Sequence, residues 1–201
     1  TFTYGDLQHG TRQIAAGLDQ LGVGRGAKVS FLADNGGWTA LVHLAIMASG
    51  RVVVPLNAVA GDIQLRHVLQ HSDTQIVFVA PSYREKLRAL LDQVPREIKL
   101  IDLDPVTGPA WPDGLPPDGR ANPEPAASEP ALLLYTSGST GLPKGAVLSH
   151  RAIINGGRNV ANGHNLTNSD RALCVLPIYH INGAMVTVAA PLVSGGSVVM
   201  P

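Results

Sequence analysis

Between residues 6 and 103 the chain alternates between two hydrophobic periods, and this alternation limits its fold more than any other feature. Leu7, Ile14, Leu18 and Leu21 recur at helical spacing until Gly22 ends the segment. Residues 28–33 then form a short, largely apolar run with the character of a buried strand. The same exchange repeats three times. Trp38, Leu41, Val42, Ala45, Ile46 and Ala48 line a helix closed by Gly50, and a strand follows at 52–56. A helix at 62–70 carries Ile63, Leu65, Val68 and Leu69 and leads to a strand at 75–79. Ser82 and Glu85 form a capping-box pattern opening a helix that runs to Val94, before a strand at 98–103. Strands separated by helices pair in parallel, so the expectation is an α/β fold whose largely parallel sheet is covered by helices on both faces.

Composition changes after Asp104. Eight of the fifteen prolines lie between Pro105 and Pro130, which reads as a linker or a long surface connection. A second segment follows, with strands at 131–135 and 146–148 on either side of a Gly/Ser/Thr loop. A helix at 151–162, a strand at 171–176, a helical stretch at 182–193 and a strand at 197–200 complete it. The expected organisation is therefore a first α/β subdomain at 1–104, a Pro-rich linker at 105–130 and the start of a second subdomain at 131–201. The chain begins at Thr1 without a leader and stops at Pro201 inside an apolar, strand-like run, which suggests a piece of a longer protein.

Several function classes are disfavoured by composition. Fifteen basic residues balance fifteen acidic ones and aromatics are 4%, so neither a basic field nor a stacking platform for nucleic acid is present. No apolar run approaches the length of a transmembrane helix, about 18 residues. Cys174 is the single cysteine, which excludes an intrachain disulfide, and its apolar neighbours mark it as a small core residue rather than a nucleophile. His67 and His71 stand four apart on a helix, but Val68 occupies the place of a metalloprotease glutamate, so they read as a solvated face.

The chemistry concentrates in Tyr135-Thr136-Ser137-Gly138-Ser139-Thr140-Gly141-Leu142-Pro143-Lys144-Gly145. Glycines let backbone N–H groups converge on an anion, hydroxyls add neutral donors, and Lys144 adds a mobile positive charge suited to phosphate. Pro143 and Gly145 flank Lys144 where a Walker loop requires Gly and Ser or Thr. A serine-hydrolase elbow fails because Ser137 stands where a nucleophilic Ser139 would need glycine. Gly22-Val23-Gly24-Arg25-Gly26-Ala27 matches a dinucleotide fingerprint only formally, since it follows a helix and precedes a strand.

The loop from Thr136 to Gly145 resembles the signature loop of the adenylate-forming superfamily, which includes acyl-CoA synthetases, firefly-type luciferases and peptide-synthetase adenylation domains. Other segments extend the resemblance along the chain: Thr3-Tyr4-Gly5-Asp6-Leu7, Gly50-Arg51-Val52-Val53-Val54-Pro55-Leu56-Asn57, Leu148-Ser149-His150, Leu176-Pro177-Ile178-Tyr179-His180 and Gly195-Gly196-Ser197-Val198-Val199. The resemblance implies part of the large N-terminal domain of a carboxylate–CoA ligase. Such an enzyme joins a carboxylate to ATP as acyl-adenylate with release of pyrophosphate, then passes the acyl group to CoA. It implies that Thr136, Ser137, Gly138, Ser139, Thr140, Gly141 and Lys144 bind the ATP phosphates, with Thr136 on the Mg²⁺ side. It also places His180 beside the acyl pocket and the path of CoA, with Asn182, Gly183 and Ala184 opening the helix there and small side chains leaving room.

The implied cofactors are ATP and Mg²⁺ with CoA as co-substrate. The implied partner is a small carboxylate, and the expected location is the cytoplasm, with a homodimer left open. The family's adenine-stacking, ribose-binding and late lysine segments are not in these residues, so the chain alone is expected to be inactive. Leu148-Ser149-His150 and Pro177-Ile178-Tyr179-His180 favour a CoA ligase over a carrier-loading adenylation domain, which more often has a Phe-Asp pair near 179–180. A non-catalytic nucleotide-binding module is the third reading.

Overall fold

The computed structural model describes residues 1–114, 116, 123–136 and 141–200. Nine strands and six α-helices are present among the described residues. The N-terminal helix α1 (Tyr4–Gln20) opens on a capping box in which Thr3 and Asp6 satisfy each other's backbone N–H groups. It ends at Gly22, whose φ of 77° fits the turn that a glycine allows. Strand β1 (Lys28–Leu32), α2 (Gly37–Ala48), β2 (Val52–Pro55), α3 (Asp62–His71), β3 (Thr74–Val79), α4 (Pro81–Leu91) and β4 (Lys99–Asp104) follow in the alternation that the hydrophobic periods dictate.

Parallel pairing joins β4, β3, β1 and β2 in that order. Helices α1 and α2 cover one face: Ile14, Leu18, Leu41 and Ile46 pack with Val29, Phe31, Ile76 and Phe78. Helices α3 and α4 cover the other, where Leu65, Leu69, Leu87 and Leu90 meet Val52, Val54, Val77 and Val79. Strand residues thus alternate between two layers, as the two-residue period requires.

The Pro-rich stretch begins as sheet. Strand β5 (Gly108–Ala110) pairs antiparallel with β4, and Trp111 lies edge-on to Phe78 with ring centroids 5.7 Å apart. The indole also fills the space a side chain would take at Gly17, where a Cβ would stand 2.5 Å from it. At the far end of the stretch, Arg25 donates to the Pro123 carbonyl and pairs with Glu129, each at 2.9 Å. Strand β6 (Pro130–Thr136) joins the same sheet in parallel beside β2, and β7 (Lys144–Ser149) pairs antiparallel with β6. The seven-stranded order is β5-β4-β3-β1-β2-β6-β7, mostly parallel with an antiparallel strand at each edge. Helix α5 (His150–Gly163), capped by the Ser149 hydroxyl, leads to a separate parallel pair, β8 (Arg171–Leu173) and β9 (Ser197–Val199). Between these two strands lie a π-helix (Gly183–Ala189) and α6 (Ala190–Val193).

Two local expectations are corrected and one is refined. Ser82 and Glu85 make no capping box: Pro81 is already in the first turn, Ala80 is the cap residue, and no side chain caps it. The helical stretch near the C-terminus is present, and most of it is π-helix. The strand starting at Arg171 stops at Leu173, three residues before the expected end.

Candidate active site

Strands β1, β2, β3 and β6 run in parallel, so the residues that follow each of them leave the sheet at one edge. Asp34 and Asn35 follow β1, Ala80 follows β3, and Thr136 is the last residue of β6. The chain passes from β1 to β2 on one side and then to β3 on the other, so the β1/β3 junction is a topological switch point. Open α/β sheets bind ligands at this edge and at such junctions.

Strands β6 and β7, on either side of the Gly/Ser/Thr segment, pair as a hairpin whose Thr136 end lies at this edge. Thr136 and Lys144 are directly paired across the hairpin, so the hydroxyl and the ammonium flank the loop at its mouth, both exposed. Gly141 has a φ of 91°, a conformation glycine adopts at little cost. Ser137, Gly138, Ser139 and Thr140 lie outside the described residues. Gly145 is exposed, yet a Cβ there would stand 2.9 Å from Leu133 and 3.3 Å from the ring of Tyr135.

His71 on α3 is exposed and His67 half-buried, and both side chains nonetheless bond to the hairpin. Their rings stack at 5.4 Å, His67 Nε2 lies 3.1 Å from the Pro143 carbonyl, and His71 Nδ1 lies 2.6 Å from the Tyr135 hydroxyl. They grip the hairpin on both sides of the loop. Burial, with Asp73 nearby, pushes the Tyr135 phenol up to about 12. Local spacing carries no trace of this contact, because its partners lie 64 and 76 residues apart.

The second cluster of candidates lies between β8 and the π-helix. His180 is exposed, with its ring 5.7 Å from that of Tyr179. Asn182 is exposed, whereas Gly183 and Ala184 are buried. Gly183 does not leave open room: a Cβ there would stand 2.2 Å from the Pro177 carbonyl oxygen, so only glycine permits this close approach. The clusters are linked through α5, whose Gly156 and Gly157 receive Met185 and Ala189.

Cys174 is buried, and burial raises its thiol above the ordinary value while the Thr187 hydroxyl donates to it at 2.9 Å. That environment suits a core residue rather than a nucleophile. The sequence reading missed Asp34 and Asn35. The Tyr83 hydroxyl donates to Asp34 at 2.6 Å, and this bond is the main cause of a phenol pushed up to about 12. Asn35 bonds to the segment before His180. A polar pair just after a buried strand was the only available signal. No group of three or more His, Cys, Asp or Glu that could hold a metal is present among the described residues. No helix among them is long and apolar enough to cross a membrane.

The family model described as "AMP-binding enzyme" matches residues 1–201. Sulfoacetate–CoA ligase of Cupriavidus necator is 43% identical over 99% of this chain and 39% of its own length. Nonribosomal peptide synthetase GRA1 of Gibberella zeae is 31% identical over 98% of this chain and 2% of its own. Among solved structures, ATP-bound MatB from Rhodopseudomonas palustris superposes with a TM-score of 0.85 at 27% identity, covering 98% of this chain and 39% of that one. The chain thus spans about two fifths of the length of the sulfoacetate ligase. A sheet edge carrying a Thr- and Lys-flanked loop and a family model matched from end to end agree: the chain belongs to the AMP-binding enzyme family.

Proposed function

We propose that this chain contributes the phosphate loop and part of the acyl site to a longer, ATP-dependent carboxylate–CoA ligase. The observation that carries the reading is the pairing of Thr136 with Lys144 across the mouth of the Gly/Ser/Thr loop at the carboxyl edge of the sheet. Similarity to a CoA ligase at 43% identity supports it.

In this reading the loop holds the β- and γ-phosphates while a carboxylate oxygen attacks the α-phosphorus. The bond to the bridging oxygen breaks and pyrophosphate leaves with that electron pair. The CoA sulfur then attacks the acyl carbonyl and AMP leaves. Lys144 neutralises charge on the leaving pyrophosphate, as a point charge that follows the phosphates. Mg²⁺ fits as an ion brought in on ATP rather than as a resident metal. Thr136 offers one hard oxygen, and the described residues form no carboxylate or histidine cage. When bound, the ion screens the phosphate oxygens from the incoming carboxylate. His180 and Asn182 face the acyl and CoA side of the site.

The test is carboxylate-dependent ATP–pyrophosphate exchange by the longer protein, followed by thioester formation with CoA. Exchange and acyl-CoA together are the expected result. Similarity to a peptide synthetase supports a second reading, in which the acceptor is a carrier-protein thiol. Exchange with acyl transfer only to a phosphopantetheinyl carrier would select it, and ATP binding without exchange under any carboxylate would select a non-catalytic module.

A further inference from the structure

The segment from Cys174 to Tyr179 leaves β8 and carries His180, yet it belongs to no strand or helix. Its last ladder bond is from Cys174 N–H to the Val199 carbonyl, at 2.8 Å. Beyond that point a single side chain from 139 to 143 residues earlier takes over. The Asn35 amide nitrogen donates to the carbonyls of Cys174 at 3.2 Å and Leu176 at 2.9 Å, and its oxygen accepts from Ile178 N–H at 3.0 Å. Both donors and the acceptor of the carboxamide are thereby used on backbone groups, and the flipped amide would face two carbonyls with an oxygen. The carbonyls of Cys174 and Leu176 are thus turned toward Asn35.

Asn35 is itself held firmly. The preceding Asp34 receives the Tyr83 hydroxyl at 2.6 Å on its side chain and the Thr39 hydroxyl at 2.8 Å on its carbonyl. The following Gly36 sits so close to Pro105 that a Cβ would stand 2.5 Å from it. On its other side the clamped segment abuts Gly183 through the Pro177 carbonyl. The segment is therefore a strut between the carboxyl end of β1 and the start of the π-helix.

We propose that Asn35 is a positioning residue for the acyl side of the site, fixing through the 174–178 strut where His180 and Asn182 stand. The inference rests on the ligase reading and deepens it. Asn35 touches no reacting atom. It acts on carboxylate recognition, while the phosphate loop is built on different strands.

The experiment compares Asn35→Ala and Asn35→Ser with wild type in the complete gene product. KM for ATP and for the carboxylate, and relative kcat/KM for a small and a bulky carboxylate, are read from pyrophosphate exchange. Hydrogen exchange of the Ile178 amide is followed in parallel. Faster Ile178 exchange is expected, with the carboxylate KM or the small-to-bulky ratio shifted roughly 10- to 100-fold, as displacements of about 1 Å produce, and the ATP KM little changed. Equal losses for ATP and every carboxylate, an unchanged carboxylate ratio, or failure of both variants to fold would make Asn35 a fold stabiliser and overturn the proposal. Absence of exchange by wild type would instead remove the ligase reading on which it stands.

Discussion

Thr136 and Lys144 face each other across the last rung of the β6–β7 hairpin, so the loop between them is anchored by a hydroxyl on one side and an ammonium on the other. On the proposed reading, Lys144→Ala in the longer protein removes a charge-assisted contact to phosphate worth about 1.5–3 kcal/mol. The expected outcome is a roughly 10–150-fold slower adenylation, read by pyrophosphate exchange, with an unchanged circular dichroism spectrum. Wild-type exchange in this variant would reduce the loop to a connector.

His180 is exposed, so its truncation is expected to cost little stability, within about 0.5 kcal/mol. If the side chain lines the acyl and CoA path, His180→Ala changes the rate ratio between small and aromatic carboxylates, or the thioester step, by about tenfold, with ATP binding retained. Melting temperature and a carboxylate panel measured together decide the point. A lowered melting point with an unchanged ratio assigns His180 to the structure alone.

His43 sits in the core of α2 at 4% exposure, edge-on to Phe31, and burial lowers its pKa to about 4. The folded state therefore favours the neutral ring, and the unfolded chain binds the proton first as pH falls. Stability from this residue is complete above about pH 6.5 and declines as pH drops toward 4, by up to about 3 kcal/mol. Denaturant unfolding at several pH values should show this slope, and His43→Leu should flatten it. An equal slope in both proteins would place the acid sensitivity elsewhere.

The grip of α3 on the hairpin can be measured as a coupling. Tyr135→Phe and His71→Phe each remove one half of the 2.6 Å bond. A double-mutant cycle in urea should return about 0.5–1.5 kcal/mol, the usual net value of one hydrogen bond. Additive losses would mean that the two side chains are neighbours without an energetic link.

The alternation of periods made the first four strands and helices legible, because burial on both sheet faces forces a pattern that local sequence cannot hide. Gly22 was legible for a similar reason: a glycine after a helical stripe has few other uses. The failures share a different cause. His67 and His71 look like a polar stripe until the hairpin is placed over them. Asn35 is one polar residue in a loop, and its three partners are backbone groups of a segment more than a hundred residues away. Side chains that bond to distant backbone leave no period to read. The Ser82 error was local: Pro81 had already supplied a helix start, which left the hydroxyl nothing to cap.

The strand order also sets a timetable for synthesis. Strands β1 to β5 and their four covering helices are all encoded before residue 111, so one edge of the sheet can be finished early. The other edge of β2 must wait for β6, which begins only at Pro130. At roughly 5–20 residues per second, several seconds separate the emergence of β2 from that of its outer neighbour. Throughout that interval the outer backbone edge of β2 has no strand beside it on the nascent chain, an edge open to wrong pairing until β6 arrives.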